Sequence, residues 1–363
     1  MQTAPRRHRR LGLLFLGMLL TIILATLFIP AQAYNNNHTL PATIYLGKFT
    51  NTLPVLAAQT KGFYAAENLT VIEEQVTSST QAYQALNVGS SAGGYDILLN
   101  SPDNVINYRL NASNPLGTPL DVKAFFGDNY GLNLTLVTRP GITSAADLRG
   151  KTVAVDARDS GFAFVLYKIL RQYGLERDQD YKVVLAGGGL QRYQALLRGE
   201  FEATLLNGGF ETRAANAGYV LLNSVCDVAY PYLGGVAAAK TGWLEQNRQV
   251  AVRFVRAYYN ATEWVLDPAN REEAINLLMM PNVSRQVAEE LYKLQVQDDV
   301  GIIPDLSIER KALYTVLKLR EEFNGFDQPQ DLKKLSKEKG GIYDLSYLSK
   351  ALHSNREKNE NRN

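Results

Sequence analysis

The chain is nearly free of cysteine and histidine, and these two absences exclude most of the chemistry that 363 residues could carry. Cys226 stands alone, so there is no intramolecular disulfide framework and no Cys-rich zinc or iron–sulfur site. The three histidines, His8, His38 and His353, all lie near the chain ends. Without imidazole in the body, Ser-His-Asp and Cys-His catalysis and most transition-metal sites lose the group they depend on. A clustered basic surface is missing too. The formal net charge is +2, but Arg6, Arg7, Arg9 and Arg10 fall in a 33-residue leader that holds no Asp or Glu. Removing those four positives from +2 leaves −2, and a mildly acidic body argues against a nucleic-acid partner.

The leader has its own pattern. A basic patch, Arg6 to Arg10, precedes an uncharged apolar run from Leu11 to Ile29 and then Pro30-Ala31-Gln32-Ala33. Small residues at Ala31 and Ala33 fit signal cleavage after Ala33, although the run is also long enough to stay as a membrane anchor. Either reading puts the body outside the cytoplasm, in the periplasm or beyond, because the arginines stay inside. Six Asn-x-Ser/Thr triplets, at Asn37, Asn68, Asn111, Asn133, Asn260 and Asn282, read as chance in a bacterial chain and as glycosylation sites in a eukaryotic one.

The body, 46% hydrophobic over the whole chain, can bury a sizeable core. Thr43 to Phe49, Leu69 to Val76 and Tyr95 to Leu99 each read as a strand, a polar turn and then a helix. That alternation predicts a parallel sheet with helices on its faces. The pattern restarts with strands at Lys151 to Val155, Tyr181 to Leu185, Glu202 to Leu206 and Tyr219 to Leu222. The expected organisation is a first part of lobe one over 40–137, lobe two over 138–232, and a return to lobe one with C-terminal helices over 233–350. The chain would cross near Thr138 and near Leu233, and residues 354–363, polar and without periodicity, read as disordered. Lys333, Lys334, Lys337 and Lys339 read as a solvated helix face, with anionic lipid as the alternative contact.

Several segments are similar to a known family. Ile44-Tyr45-Leu46-Gly47, Leu53 through Tyr64 with its Lys61-Gly62-Phe63-Tyr64, and Glu67-Asn68-Leu69 resemble the opening of solute-binding proteins of the nitrate, sulfonate and taurine uptake type. Asp147 through Val155 resembles the entry of that family into its second lobe, and Gly199-Glu200-Phe201-Glu202-Ala203 extends the likeness. The resemblance implies an α/β, two-lobed periplasmic binding protein of type II, a venus flytrap whose C-terminal helices pack on the first lobe. It implies a monomer that delivers a small organic or anionic solute to an ABC permease and ATPase complex, without a cofactor. The same superfamily includes thiamine-pyrimidine synthases. Those enzymes carry a cysteine-rich motif and an active-site histidine that this chain lacks, so an enzyme is the alternative reading, as is a ligand-sensing ectodomain.

The candidate binding residues follow from helix N-termini. In open α/β sheets a ligand sits at the carboxyl ends of the strands, where turn amides and helix dipoles face it. In lobe one the turns are Thr50, Asn51 and Thr52; Thr77, Ser78 and Ser79; and Ser101 with Asp103. Lobe two offers Asp156 to Ser160, Gly161 and Phe162; Gly188; and Asn207 with Phe210. Each Ser or Thr alone reads first as an ordinary N-cap. Tyr130 and Tyr230 join Phe162 and Phe210 as candidate stacking groups. Gly187-Gly188-Gly189 lacks the spacing of a dinucleotide loop, and Gly150-Lys151-Thr152 has Ala145 where a phosphate loop requires glycine. With no arginine in these turns, a neutral, zwitterionic or monoanionic solute is expected.

Overall fold

The computed structural model describes residues 40–131, 134–279 and 283–360. The leader with its cleavage pattern, and Asn37, Asn133 and Asn282 of the triplets, lie outside them. Asn111, inside them, is only 2% exposed and donates to the Gly325 carbonyl at 2.7 Å, so its amide is committed to the interior.

Among the described residues the strands are β1 (Ala42–Lys48), β2 (Leu69–Gln75), β3 (Ile97–Asn100), β4 (Val122–Asn129), β5 (Thr135–Thr138), β6 (Thr152–Val155), β7 (Lys182–Leu185), β8 (Ala203–Leu206), β9 (Val220–Ser224) and β10 (Gly235–Lys240). They form two five-stranded sheets, ordered β2-β1-β3-β10-β4 and β7-β6-β8-β5-β9. The protein is therefore an α/β chain of two lobes.

The three strands expected to form a parallel sheet, β1, β2 and β3, are parallel, while each sheet as a whole is mixed. β1 runs parallel to β2 and β3, yet β10 is antiparallel to both β3 and β4, and β5 is antiparallel to β8 and β9. The reason is topological. β5 and β10 are the first strands after each passage between lobes, and a chain that leaves one sheet at its carboxyl edge enters the other at the facing edge. It must then run backwards. The first passage lies between Asn129 and Thr135, ahead of the expected Thr138, because β5 pairs with the second sheet. The return falls between Ser224 and Gly235.

On lobe one the helix Arg248–Leu266 buries Ala251, Phe254, Val255, Tyr258, Ala261 and Val265, a stripe at three- and four-residue spacing, against the helix Leu53–Thr60. The helix Arg310–Glu322 departs from the expected packing on the first lobe alone. It rests on both Pro102–Leu110 of lobe one and Gly161–Gln172 of lobe two. Phe323, just past its end, stacks on Phe164 with ring centroids 5.7 Å apart. The last helix, Ser346–Glu360, carries helical backbone past Ser354, where disorder was expected. Arg356, Glu357, Lys358 and Glu360 are good helix formers even without an apolar stripe.

Candidate functional site

The carboxyl edges of the two sheets face each other, and the turns after the strands meet there. Helix Pro102–Leu110 starts at Ser101, whose hydroxyl accepts from the Asp103 amide at 3.3 Å. Helix Gly161–Gln172 starts at Ser160, which accepts from the Ala163 amide at 3.2 Å. Helix Gly189–Leu197 starts at Gly188, which has no side chain to cap its first-turn amides, and Gly188 and Gly189 both line the hollow that the turns enclose.

Between these turns lies a hollow of about 70 Å³. Thr50, Thr52 and Ser101 line it from lobe one, and Asp156, Ser160, Gly161, Phe162, Gly188 and Asn207 line it from lobe two. Its size suits a compact solute, since pockets for drug-sized ligands run to roughly 300 Å³ and above. The lobes touch around it. Ser79 of lobe one donates to Asp156 of lobe two at 2.9 Å, Ser160 donates to the other oxygen of that carboxylate at 2.7 Å, and the Gly188 amide donates to the Thr77 carbonyl at 2.7 Å. A Cβ at Gly161 would lie 2.5 Å from the Asp103 Cβ, so glycine is what lets the two helix starts approach.

Other sequence candidates land elsewhere. Ser78 caps its own helix, accepting from the Gln81 amide at 3.1 Å. Asp103 does not line the hollow. It is fully buried and pairs with Arg320, likewise buried, at 2.7 Å, while the Gly161 amide also donates to it. Burial pushes its pKa up, against the pull of the guanidinium. Tyr130 and Tyr230 share a separate shallow cavity with Asp299 and Glu309, because the passage between lobes turns them away. Asn51 and Phe210 line a neighbouring chamber.

The structure adds residues that the turn argument missed. Asp128 and Asn129 end β4, and Gly234 and Gly235 lead into β10, where the two passages run side by side. The Asp128 carboxyl is pushed up by burial and held by the Tyr258 hydroxyl and, at 2.7 Å, by the Asn129 amide. Thr52 reaches the same Tyr258 hydroxyl at 3.2 Å. Arg192 lies one turn into helix Gly189–Leu197 and is 4% exposed. Its guanidinium donates to the carbonyls of Gly187 at 2.6 Å and Leu205 at 3.3 Å, and no carboxylate pairs with it among the described residues. Burial lowers its pKa, but a guanidinium stays charged, and among the described residues those two carbonyls are the acceptors hydrogen-bonded to its five N–H donors. A buried cation with free donors beside uncapped amides is complementary to an oxyanion or a carboxylate.

A family model described as NMT1/THI5 like matches residues 49–271, more than half of the chain. The chain belongs to the NMT1/THI5-like family. No curated protein matches the sequence of this NMT1/THI5-like chain. Solved structures do resemble it. The periplasmic nitrate-binding protein NrtA from Synechocystis PCC 6803 has a TM-score of 0.73 at 14% identity, over 86% of this chain and 89% of its own. The alkanesulfonate-binding protein SsuA from Xanthomonas axonopodis pv. citri, solved with MOPS bound, has 0.60 at 17%, over 86% and 98%. The Candida albicans CA3427 product, described as having the generic periplasmic binding protein fold, has 0.64 at 14%, over 84% and 96%. At such identities these likenesses establish the fold, that of a two-lobed periplasmic binding protein. No helix among the described residues is long and apolar enough to cross a membrane.

Proposed function

We propose that this NMT1/THI5-like chain is the extracytoplasmic solute-binding component of an ABC importer. It captures a compact solute with an anionic or strongly accepting group between its lobes. The observation that carries the reading is Arg192, a buried cation with unmatched donors on the wall of an interlobe hollow. Asp156, tied to hydroxyls from both lobes, supports a latch that forms as the lobes close. Nitrate, small sulfonates and planar pyrimidine-like solutes all present the required acceptor oxygens. Two structural neighbours are a nitrate-binding and an alkanesulfonate-binding protein, in keeping with this class. The solute would be handed to a permease and ATPase, with the protein acting as a monomer exported by its leader.

Synthase-like chemistry on this scaffold is the less supported reading, since the body of the chain offers no histidine for acid–base work. The test is a thermal-shift screen over nitrate, sulfonates, pyrimidines, amino acids and polyamines. One anionic or zwitterionic class is expected to raise the melting point progressively with the logarithm of its concentration, by about 2.7 kcal/mol of stabilisation at a hundredfold excess over Kd. Stabilisation by polyamines alone would overturn the reading, because cations would meet Arg192.

A further inference from the structure

Beside the first hollow lies a second chamber of about 220 Å³, roughly three times larger, and also formed between the lobes. Thr50 lines both. At the partition its side chain meets Gly208, where an added Cβ would lie 2.6 Å from the Thr50 Cγ2. The walls of the chamber are mostly apolar. Leu56 and Leu291 come from lobe one, and Leu190 and Phe210 from lobe two. One charge faces it, Arg213, whose guanidinium lies 5.0 Å from the Tyr193 ring centre and 5.7 Å from that of Phe210. No carboxylate pairs with Arg213 among the described residues.

We infer that this chamber is a second solute site, and that it takes a medium-chain carboxylate. The six apolar side chains of the lining, Leu278 and Val283 included, suit an alkyl chain, and the Arg213 guanidinium beside two rings can bind a carboxylate through paired N–H donors. The walls come from both lobes, so the site is complete only when they are closed. A carboxylate there therefore favours closure, and a solute in the first hollow favours the carboxylate. The coupling is reciprocal. The inference rests on closure of the lobes and not on the identity of the solute beside Arg192.

The test uses the full chain with hexanoate as probe, read by thermal shift and titration calorimetry in carboxylate-free buffer. Hexanoate is expected to bind saturably and more tightly than acetate. Arg213→Ala should weaken it about a hundredfold, the loss of the paired charge-assisted hydrogen bonds. Leu56→Phe, which fills part of the chamber from lobe one, should weaken it as well. Absence of hexanoate binding to the wild type would overturn the inference. So would weakening by Arg192→Ala without weakening by the two chamber variants, because the acid would then occupy the first hollow. Hexanoate binding with the expected variant pattern would support the chamber even if the first hollow proved to bind nothing.

Discussion

Arg192→Ala is expected to lose about two orders of magnitude in affinity for whichever solute stabilises the wild type, while the empty protein stays folded. Two charge-assisted hydrogen bonds to the solute, at roughly 1.5 kcal/mol each, amount to about 3 kcal/mol, or about a hundredfold in Kd. The empty protein should change by only about 1–2 kcal/mol. The substitution frees the carbonyls of Gly187 and Leu205, but it also relieves a buried cation that has no carboxylate partner. Arg192→Lys should recover part of the loss, because an ammonium keeps the charge without the planar fork. Titration calorimetry on both variants checks this, and an unchanged Kd in Arg192→Ala would remove Arg192 from the site.

The second large effect is a pH dependence centred on Glu211. Its side chain is fully buried at the start of the helix Phe210–Asn216, and burial raises its pKa from the usual 4.5 to about 7. One carboxyl oxygen accepts from the Gly209 amide at 3.0 Å, and among the described residues the other has no partner. The folded state therefore holds a proton that the unfolded state releases near pH 4.5. The associated stability is fully present below that pH and is lost as pH rises through about 7. An upward displacement of this size is worth about 3 kcal/mol. Glu211→Gln, a neutral isostere, should flatten the curve, so the gap between variant and wild type in urea midpoint should widen in the variant's favour from pH 4.5 to pH 8. A gap that stays constant across that range would show that Glu211 does not titrate with folding. The residue adjoins Asn207 through Phe210, the turn that serves both chambers, so ionisation of Glu211 should also loosen that turn.

Much of the fold was legible because local chemistry encodes it. The turns at Ser78, Ser101 and Ser160 announce helix starts through residues that cap, and caps are local. Periodicity likewise marked the long helices. What escaped notice depends on contacts between distant residues. Asp103 has the sequence signature of a ligand-facing turn, but its partner Arg320 lies 217 positions away and draws it into the interior. Arg192 was not among the candidates, because it lies in the helix and not in the turn before it. Its position four residues after Gly188 places it on the face above that turn, and helical side chains lean toward the N-terminus, so the signal was present once Gly188 was taken as the start. β10, with three consecutive alanines, has little strand propensity, and neighbours on both sides hold it in the sheet. Its reversed direction follows from the second passage between lobes, which no local pattern records.

The central claim is that the two lobes close on a solute held beside Arg192. The most direct measurement is the spin–spin distance between labels at Val88 on lobe one and Leu197 on lobe two, exposed by 54% and 40%, in a Cys226→Ser background. With the stabilising solute at saturation, a broad distribution should collapse to one shorter distance in the wild type and stay broad in Arg192→Ala. Identical distributions with and without saturating solute in the wild type would contradict it.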